Sequence, residues 1–311
     1  MSVPMLTRRT FVLGAAAVAT GCLRAEPAGR IRVAAGDPGG LYLAFSQLLA
    51  DRIRLRYPEI DVEVVPTAGS VENLRLLRLG QVDMGLALAD VVERDRATGP
   101  AHTAPSAVAR VYENYLQVIV ADSTPVQRIS DLKGAQISIG PDGSGASATS
   151  RVLIAAADLE GRVELLAYRL RDALARLAEN SISALVWSGG VPTPAIAELD
   201  AVRPLRILDI SGQAWRMSDL SGYPYVLRPV PTCGYVPSGI RSIGVANLLL
   251  CRQGIPTDLV SATVETLVSD APQLVPPYIR GLQYLDTPSM IQTGFIPLHS
   301  GAVDAYRELH G

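Results

Sequence analysis

The chain has 311 residues and a formal net charge of −2, with no basic stripe or tail, which argues against a nucleic-acid partner because such a partner needs a positive footprint. About 290 residues follow Cys22, and 48% of the chain is hydrophobic: enough for two ordinary α/β lobes or one large domain with a filled core. Lys133 is the only lysine, so arginine carries nearly all the positive charge.

Residues 1–22 read as a targeting segment. The paired Arg8 and Arg9, followed by Thr10-Phe11-Val12-Leu13, match a twin-arginine export signal. The apolar run Val12 to Ala19 is far below the ~18 residues of a spanning helix and is a signal core. Thr20-Gly21-Cys22 resembles a lipoprotein cleavage site, with Cys22 as the acylated residue; the alternative is a plain signal peptide cut near Ala25. Several acyl chains hold a protein to a membrane where one does not. No second apolar run approaches membrane length, so the mature chain is expected to be extracytoplasmic and soluble apart from its anchor. Cys233 and Cys251 remain, either as a pair formed outside the cell or as separate thiols.

Short apolar runs then alternate with helical patterns, which implies βαβ units and a mostly parallel sheet. Strands are expected at Ile31–Ala35, Val62–Val65, Gln81–Leu88 and Tyr115–Ala121, with helices at Leu43–Tyr57 and Val71–Leu79, the latter closed by Gly80. A second series follows Ser123: a helical turn at Ile129–Gly134, strands at Gln136–Ile139, Glu164–Tyr168, Ala184–Trp187 and Arg206–Ile210, and helices at Ala146–Leu159, Leu170–Ala178 and Thr193–Leu199. Ser221–Gly239 reads as an extended connector, Val245–Cys251 as a strand, and Thr257–Leu267 and Pro272–Leu282 as helices.

Four strands end in small, polar, Gly-rich turns that open helices: Gly36–Leu41, Thr67–Ser70, Gly140–Ser147 and Ser188–Pro192. A helix start offers unpaired N–H groups and partial positive charge, glycine admits close approach, and ligands of open α/β sheets sit beyond the carboxyl ends of the strands. Each turn alone is also ordinary turn and cap chemistry; four together point to a site for a small anion. Competing chemistries lack their signatures. No phosphate loop is present, and Gly140-Pro141-Asp142-Gly143-Ser144-Gly145 fits neither a dinucleotide fingerprint nor a nucleophile elbow. His102, His299 and His310 do not cluster with Cys or carboxylates at metal spacing, and no metal or cofactor is expected.

Motifs along the mature chain resemble the TAXI family, the solute-binding proteins of one branch of TRAP transporters. They are Gly39-Gly40-Leu41-Tyr42, Thr67-Ala68-Gly69-Ser70-Val71-Glu72-Asn73-Leu74, Gly80-Gln81-Val82-Asp83-Met84-Gly85, Asp131-Leu132-Lys133-Gly134 with Gly140 and Gly143-Ser144-Gly145, Gly190-Val191-Pro192-Thr193, and Pro297-Leu298-His299-Ser300-Gly301-Ala302 with Tyr306 and Glu308. The resemblance implies an α/β, type II-like periplasmic-binding-protein fold: two lobes (30–121 with 238–311, and 122–237), a hinge and a ligand enclosed between them. It also implies a TRAP membrane permease as partner, a monomeric binding protein rather than an enzyme, and glutamate, another dicarboxylate or a related organic acid as ligand. Carried over by residue, Tyr42, Gly69, Ser70, Asn73, Ser144, Gly145, Ala146 and Val191 line the cleft; the same turns add Gly40, Thr67, Ser147 and Gly190. Tyr42 is expected to cover the ligand and donate its hydroxyl, Asn73 reads equally as a helix-capping residue, and His299 is expected to stabilise the last helix start.

The chain also departs from that pattern. Leu88-Ala89-Asp90 stands where the family has Gln-Ser-Asp, Ser300 replaces Pro, Asp37-Pro38 replaces small residues, and Ser181-Ile182-Ser183-Ala184 replaces Gly-x-Ile-Asp-Ala. Leu88 and Ala89 point to a more apolar or differently shaped carboxylate than glutamate. Two other functions stay open: a ligand sensor for a membrane kinase, and a hydrolase in which His299 would need to reach a cleft serine.

Overall fold

A computed structural model describes residues 26–280 and 284–310, with the backbone alone for His310. Arg8, Arg9 and Cys22, read above as export and lipid-attachment signals, lie outside the described residues. In chain order the elements are β1 (Gly29–Ala34), α1 (Leu41–Arg56), β2 (Ile60–Val65), α2 (Ser70–Arg78), β3 (Met84–Leu88), α3 (Ala89–Thr98) and β4 (Ser106–Ala121). Then come β5 (Gln136–Ser138), α4 (Gly145–Ala156), β6 (Glu164–Leu166), α5 (Leu170–Ala178), β7 (Ala184–Gly189), α6 (Pro194–Asp200), β8 (Leu205–Ile207) and α7 (Ala214–Ser221). The chain closes with β9 (Val226–Pro229), β10 (Arg241–Cys251), α8 (Thr257–Ser269), α9 (Thr287–Met290) and α10 (Ser300–His310). Among the described residues no helix is long and apolar enough to cross a membrane.

Local chemistry accounts for most boundaries. Tyr57 precedes Pro58, a position that disfavours helical backbone, and α1 stops at Arg56. Gly80 and Gly222 follow α2 and α7 with positive φ, the left-handed conformation that ends helices. At the start of α4 the Ser144 hydroxyl accepts from the Ser147 amide at 3.0 Å, a standard N-cap.

The strands form one sheet in the order β2-β1-β3-β10-β4-β7-β5-β6, with β8 beside β4 and β9 beside β10. It has two matching halves. In the first, β1 lies between β2 and β3, parallel to both. In the second, β5 lies between β6 and β7, again parallel to both. Each set of three then pairs with a long antiparallel strand, β10 against β3 and β4 against β7. The two long strands pair with each other through two register shifts, irregularities that let a strand bend. Strands β4 and β10 are therefore what joins the halves.

Three apolar clusters pack this sheet. One sets α1, α8 and α10 against the first half, through Phe45, Leu49, Val260 and Tyr306. A second sets α5 and α6 against the second half, through Leu174, Ile196 and Tyr235. The third runs across both, bringing Leu74 and Val91 of the first half against Leu153 and Met217 of the second.

Several expectations need correction. Pro272–Leu282 is not a helix over its described part: a 3-10 turn at Ala271–Leu274 gives way to irregular chain, because Pro276 and Pro277 offer no amide donors. The third strand begins at Met84 rather than Gln81, and β4 begins nine residues before Tyr115, at Ser106. Helices α3 and α7 had no expected counterpart, and the connector contains β9, which lies on the edge of β10 with Pro229 as its last residue, where its missing donor is harmless. Cys233 and Cys251 are both free, and Cys251 is buried in β10.

Candidate functional site

The carboxyl ends of the parallel strands in both halves open onto one cavity of about 50 Å³, room for a few water-sized groups. After β1 it is lined by Gly36, Asp37, Gly40, Leu41 and Tyr42; after β2 by Ala68, Gly69 and Ser70; and at the end of β3 by Leu88. The other wall is Pro141, Ser144, Gly145 and Ala146 after β5, and Trp187, Ser188 and Gly189 at the end of β7, with Asn114 of β4 as the floor between them.

Three helices start at this cavity. Gly40 and Gly69, the N-caps of α1 and α2, provide no side-chain cap, so the first amides of those helices carry unsatisfied donor character. In α4 the Ser144 cap is taken by the Ser147 amide, which leaves the Gly145 and Ala146 amides facing the cavity wall they form. A fourth start, that of α3, is neutralised internally: Asp90 accepts from the Val91 amide at 2.9 Å. Each open helix start favours an anion by about 0.3–2 kcal/mol. No arginine or lysine lines the cavity, so an anion here would depend on backbone dipoles.

Hydroxyls add to these donors, but less than expected. The Tyr42 hydroxyl donates to Asn247 Oδ1 at 2.6 Å and lies 3.3 Å from Ser70 Oγ. Its hydrogen is thus used within the protein, and burial pushes its pKa up so that it stays protonated. Ser70 Oγ accepts from the Leu88 amide at 3.0 Å, which orients its own hydrogen away from β3. Gln117 holds the far wall in place: its amide nitrogen donates to the Gly189 and Gly190 carbonyls, and its oxygen accepts from Tyr235.

The two halves touch directly around the cavity. Glu72 N donates to Gly143 O at 3.0 Å. Gly69 adopts φ +127, which selects glycine, and a Cβ there would lie in van der Waals contact with Ser144, 3.4 Å from its Cα. A Cβ on Gly145 would come within 2.4 Å of Ser70 Oγ. At the mouth, Arg169 Nη1 of the second half donates to Asp37 Oδ2 of the first at 3.1 Å. Burial raises the Asp37 pKa and the Arg169 charge opposes that rise. Deeper, the buried Asp90 carboxylate of α3 accepts from Thr149 of α4 at 2.7 Å and from Tyr225 at 2.8 Å.

Of the residues expected at the site, Gly40, Tyr42, Gly69, Ser70, Ser144, Gly145 and Ala146 line the cavity, and Thr67, Asn73, Ser147, Gly190 and Val191 do not. Asn73 is fully buried and its amide nitrogen donates to the carbonyls of Ala34, Ala35 and Leu86, tying β1 to β3. The Thr67 hydroxyl donates to Asn73 Oδ1 at 2.6 Å, and Ser147 offers its amide to the Ser144 cap. Val191 is buried with the α5–α6 cluster. Leu88 lines the cavity; Ala89 does not. His299 Nδ1 accepts from the Gly301 amide at 3.2 Å where α10 starts, and it is not part of the cavity wall. Asn114 and Trp187 are the lining residues that lie outside the four turns and were not expected from the sequence. Signals existed for both: Asn114 is a polar side chain within an apolar strand, and Trp187 directly precedes a Gly-rich turn.

Comparison with known proteins agrees with this architecture. The model of the NMT1-like family matches residues 33–309. Among solved structures, the periplasmic binding protein BugD is 15% identical, with 81% of this chain and 84% of that chain covered at a TM-score of 0.58. Tv2483 bound to L-arginine is 13% identical, covering 82% and 93% at 0.53. XAC2383 from Xanthomonas citri bound to ATP is 12% identical, covering 90% and 95% at 0.50. These likenesses establish the type II periplasmic-binding-protein fold.

Proposed function

The chain belongs to the NMT1-like family, and from that premise we propose that it is an extracytoplasmic solute-binding protein of a transporter, not an enzyme, that closes over a small carboxylate. One observation supports the reading: three helix starts with free leading amides, two from one half of the sheet and one from the other, converge on one cavity whose lining holds no side-chain cation. The lobes are residues 30–121 with 238–311, and residues 122–237; strands β4 and β10 cross between them and form the hinge. A micromolar complex needs about 8 kcal/mol. Three helix starts supply part of that, and hydrogen bonds and the apolar surfaces of Leu41, Leu88 and Trp187 supply the rest.

The finer features rest on the sequence. The ordered motifs that resemble the TAXI family support a TRAP-type permease as the membrane partner, driven by an ion gradient. Arg8-Arg9 and Cys22 support twin-arginine export and lipid anchoring at the membrane. Leu88 in the cavity wall supports a ligand other than glutamate.

Calorimetry of the purified protein against a panel of organic acids and amino acids tests the central claim, with mass spectrometry of any ligand retained through native purification. Binding of an organic acid that is lost in Ser70→Phe and Ser144→Phe is expected. Ligand-induced thermal shifts that persist unchanged in both variants would remove the cavity as the site.

A further inference from the structure

Two residues that line the cavity each carry a buried polar atom that takes no partner from the protein, Asn114 Oδ1 and Trp187 Nε1. Both residues are more than nine-tenths buried, at 3% and 7% exposure, and both line the cavity. The orientation of the Asn114 amide is set by its neighbours. Its nitrogen donates to Ser188 O at 3.3 Å and lies 3.5 Å from Ser188 Oγ, so a reversed amide would press oxygen against a carbonyl. The free group is therefore an acceptor. Trp187 Nε1 can only donate. Its place depends on Gly189, where a Cβ would lie 2.3 Å from Nε1. A buried donor and a buried acceptor left unpaired are both costly, and here both belong to the wall of the site already assigned to a carboxylate.

We infer that the ligand is a short hydroxycarboxylate: its hydroxyl donates to Asn114 Oδ1, one of its oxygens accepts from Trp187 Nε1–H, and its carboxylate lies on the helix amides. This rests on the carboxylate reading above and narrows it. A keto oxygen only accepts, so an oxo acid leaves Asn114 unpaired. An unsubstituted acid does the same. An ammonium donates, but a buried cation needs a carboxylate partner. The only carboxylate in the wall is Asp37, and its Oδ2 already bonds Arg169. A hydroxyl meets the acceptor without adding charge. The small volume of the cavity and the flanking Leu41 and Leu88 restrict the carbon skeleton to a short one.

The test is calorimetry on the natural protein with a matched set: 2- and 3-hydroxybutanoate, butanoate, 2-oxobutanoate and 2-aminobutanoate. One hydroxy acid is expected to bind roughly 10- to 100-fold tighter than butanoate and the oxo acid, the penalty for one buried acceptor left unpaired. Asn114→Leu should bring the ratio of hydroxy to unsubstituted acid close to one. Trp187→Phe, which keeps the ring and removes the donor, should weaken the hydroxy acid by roughly tenfold. If Asn114→Leu does not fold, the ratios in the natural protein decide. Equal binding of hydroxy acid and butanoate, or tighter binding of the oxo or amino acid, overturns the hydroxyl assignment while the carboxylate reading stands. Binding by no member of the set overturns the short hydroxycarboxylate, and the wider panel of acids then decides the carboxylate reading by itself.

Discussion

Gly145→Ala separates closure of the cavity from stability of the fold. An added Cβ would stand 2.4 Å from Ser70 Oγ, 2.7 Å from Leu88 Cδ1 and 3.0 Å from Ser70 Cβ, against a contact optimum of about 3.5–4 Å. Moving the halves apart by about 1 Å relieves all three overlaps together; turning Ser70 away relieves the worst of them and leaves Leu88 to shift as well. The first loses packing at the seam, at about 1–3 kcal/mol. The second deprives the Leu88 amide of its acceptor, at about 1–3 kcal/mol for a buried donor. Either route acts only when the lobes are closed, so ligand affinity should fall by roughly 5- to 150-fold. Where the lobes part as proposed, the clash is absent, and alanine suits a helix better than glycine. Calorimetry would give the affinity, and thermal unfolding without ligand would give the stability. An affinity within twofold of the natural protein, or an equal loss of ligand-free stability, would refute this account of the seam.

Other substitutions have distinct signatures. Asn73→Ala should lower unfolding free energy by roughly 3 kcal/mol, since three buried carbonyls lose a shared donor; denaturant titration measures it, and a loss below about 1 kcal/mol would contradict the strand-tying role. Arg169→Ala should weaken ligand binding by no more than about fivefold, because Arg169 is half exposed and such pairs contribute about 1 kcal/mol or less; stopped-flow dissociation would detect it. Burial holds the Asp90 carboxyl above its ordinary range. Its native form therefore binds a proton more readily than the unfolded chain does, so its stabilising contribution is complete below the ordinary pKa of 3.8 and is lost as pH rises through the raised value. Asp90→Asn should remove that portion of the stability-against-pH curve, and a superimposable curve would count against it.

Much of the fold was legible locally. Helix α5 was read to the residue because Leu170, Leu174 and Leu177 repeat on one face and a turn follows at once. The Gly-rich turns were also legible, since glycine and serine at a strand end are constrained by their own backbone. Of the helices that escaped, α3 and α7 did so for opposite reasons: α3 follows β3 with no intervening turn residue, and α7 lies in a stretch whose Trp215 and Leu220 stay exposed, so its apolar pattern does not describe a buried face.

The sequence by itself indicated four turns that open helices at strand ends and offered twelve residues in or beside them for the site, seven of which line the cavity. Tertiary structure alone decided which turn residues face it. Asn73 and Thr67 look like site residues within their motif, yet β1 and β3 take them as ties because three strand ends converge there. Asn114 and Trp187 became site residues only because β4 crosses from one half to the other and pairs with β7, setting Tyr115 opposite Gly189. Helix caps and turns depend on neighbours within about four residues along the chain, whereas the orientation of the Asn114 amide depends on a contact with Ser188, 74 residues away.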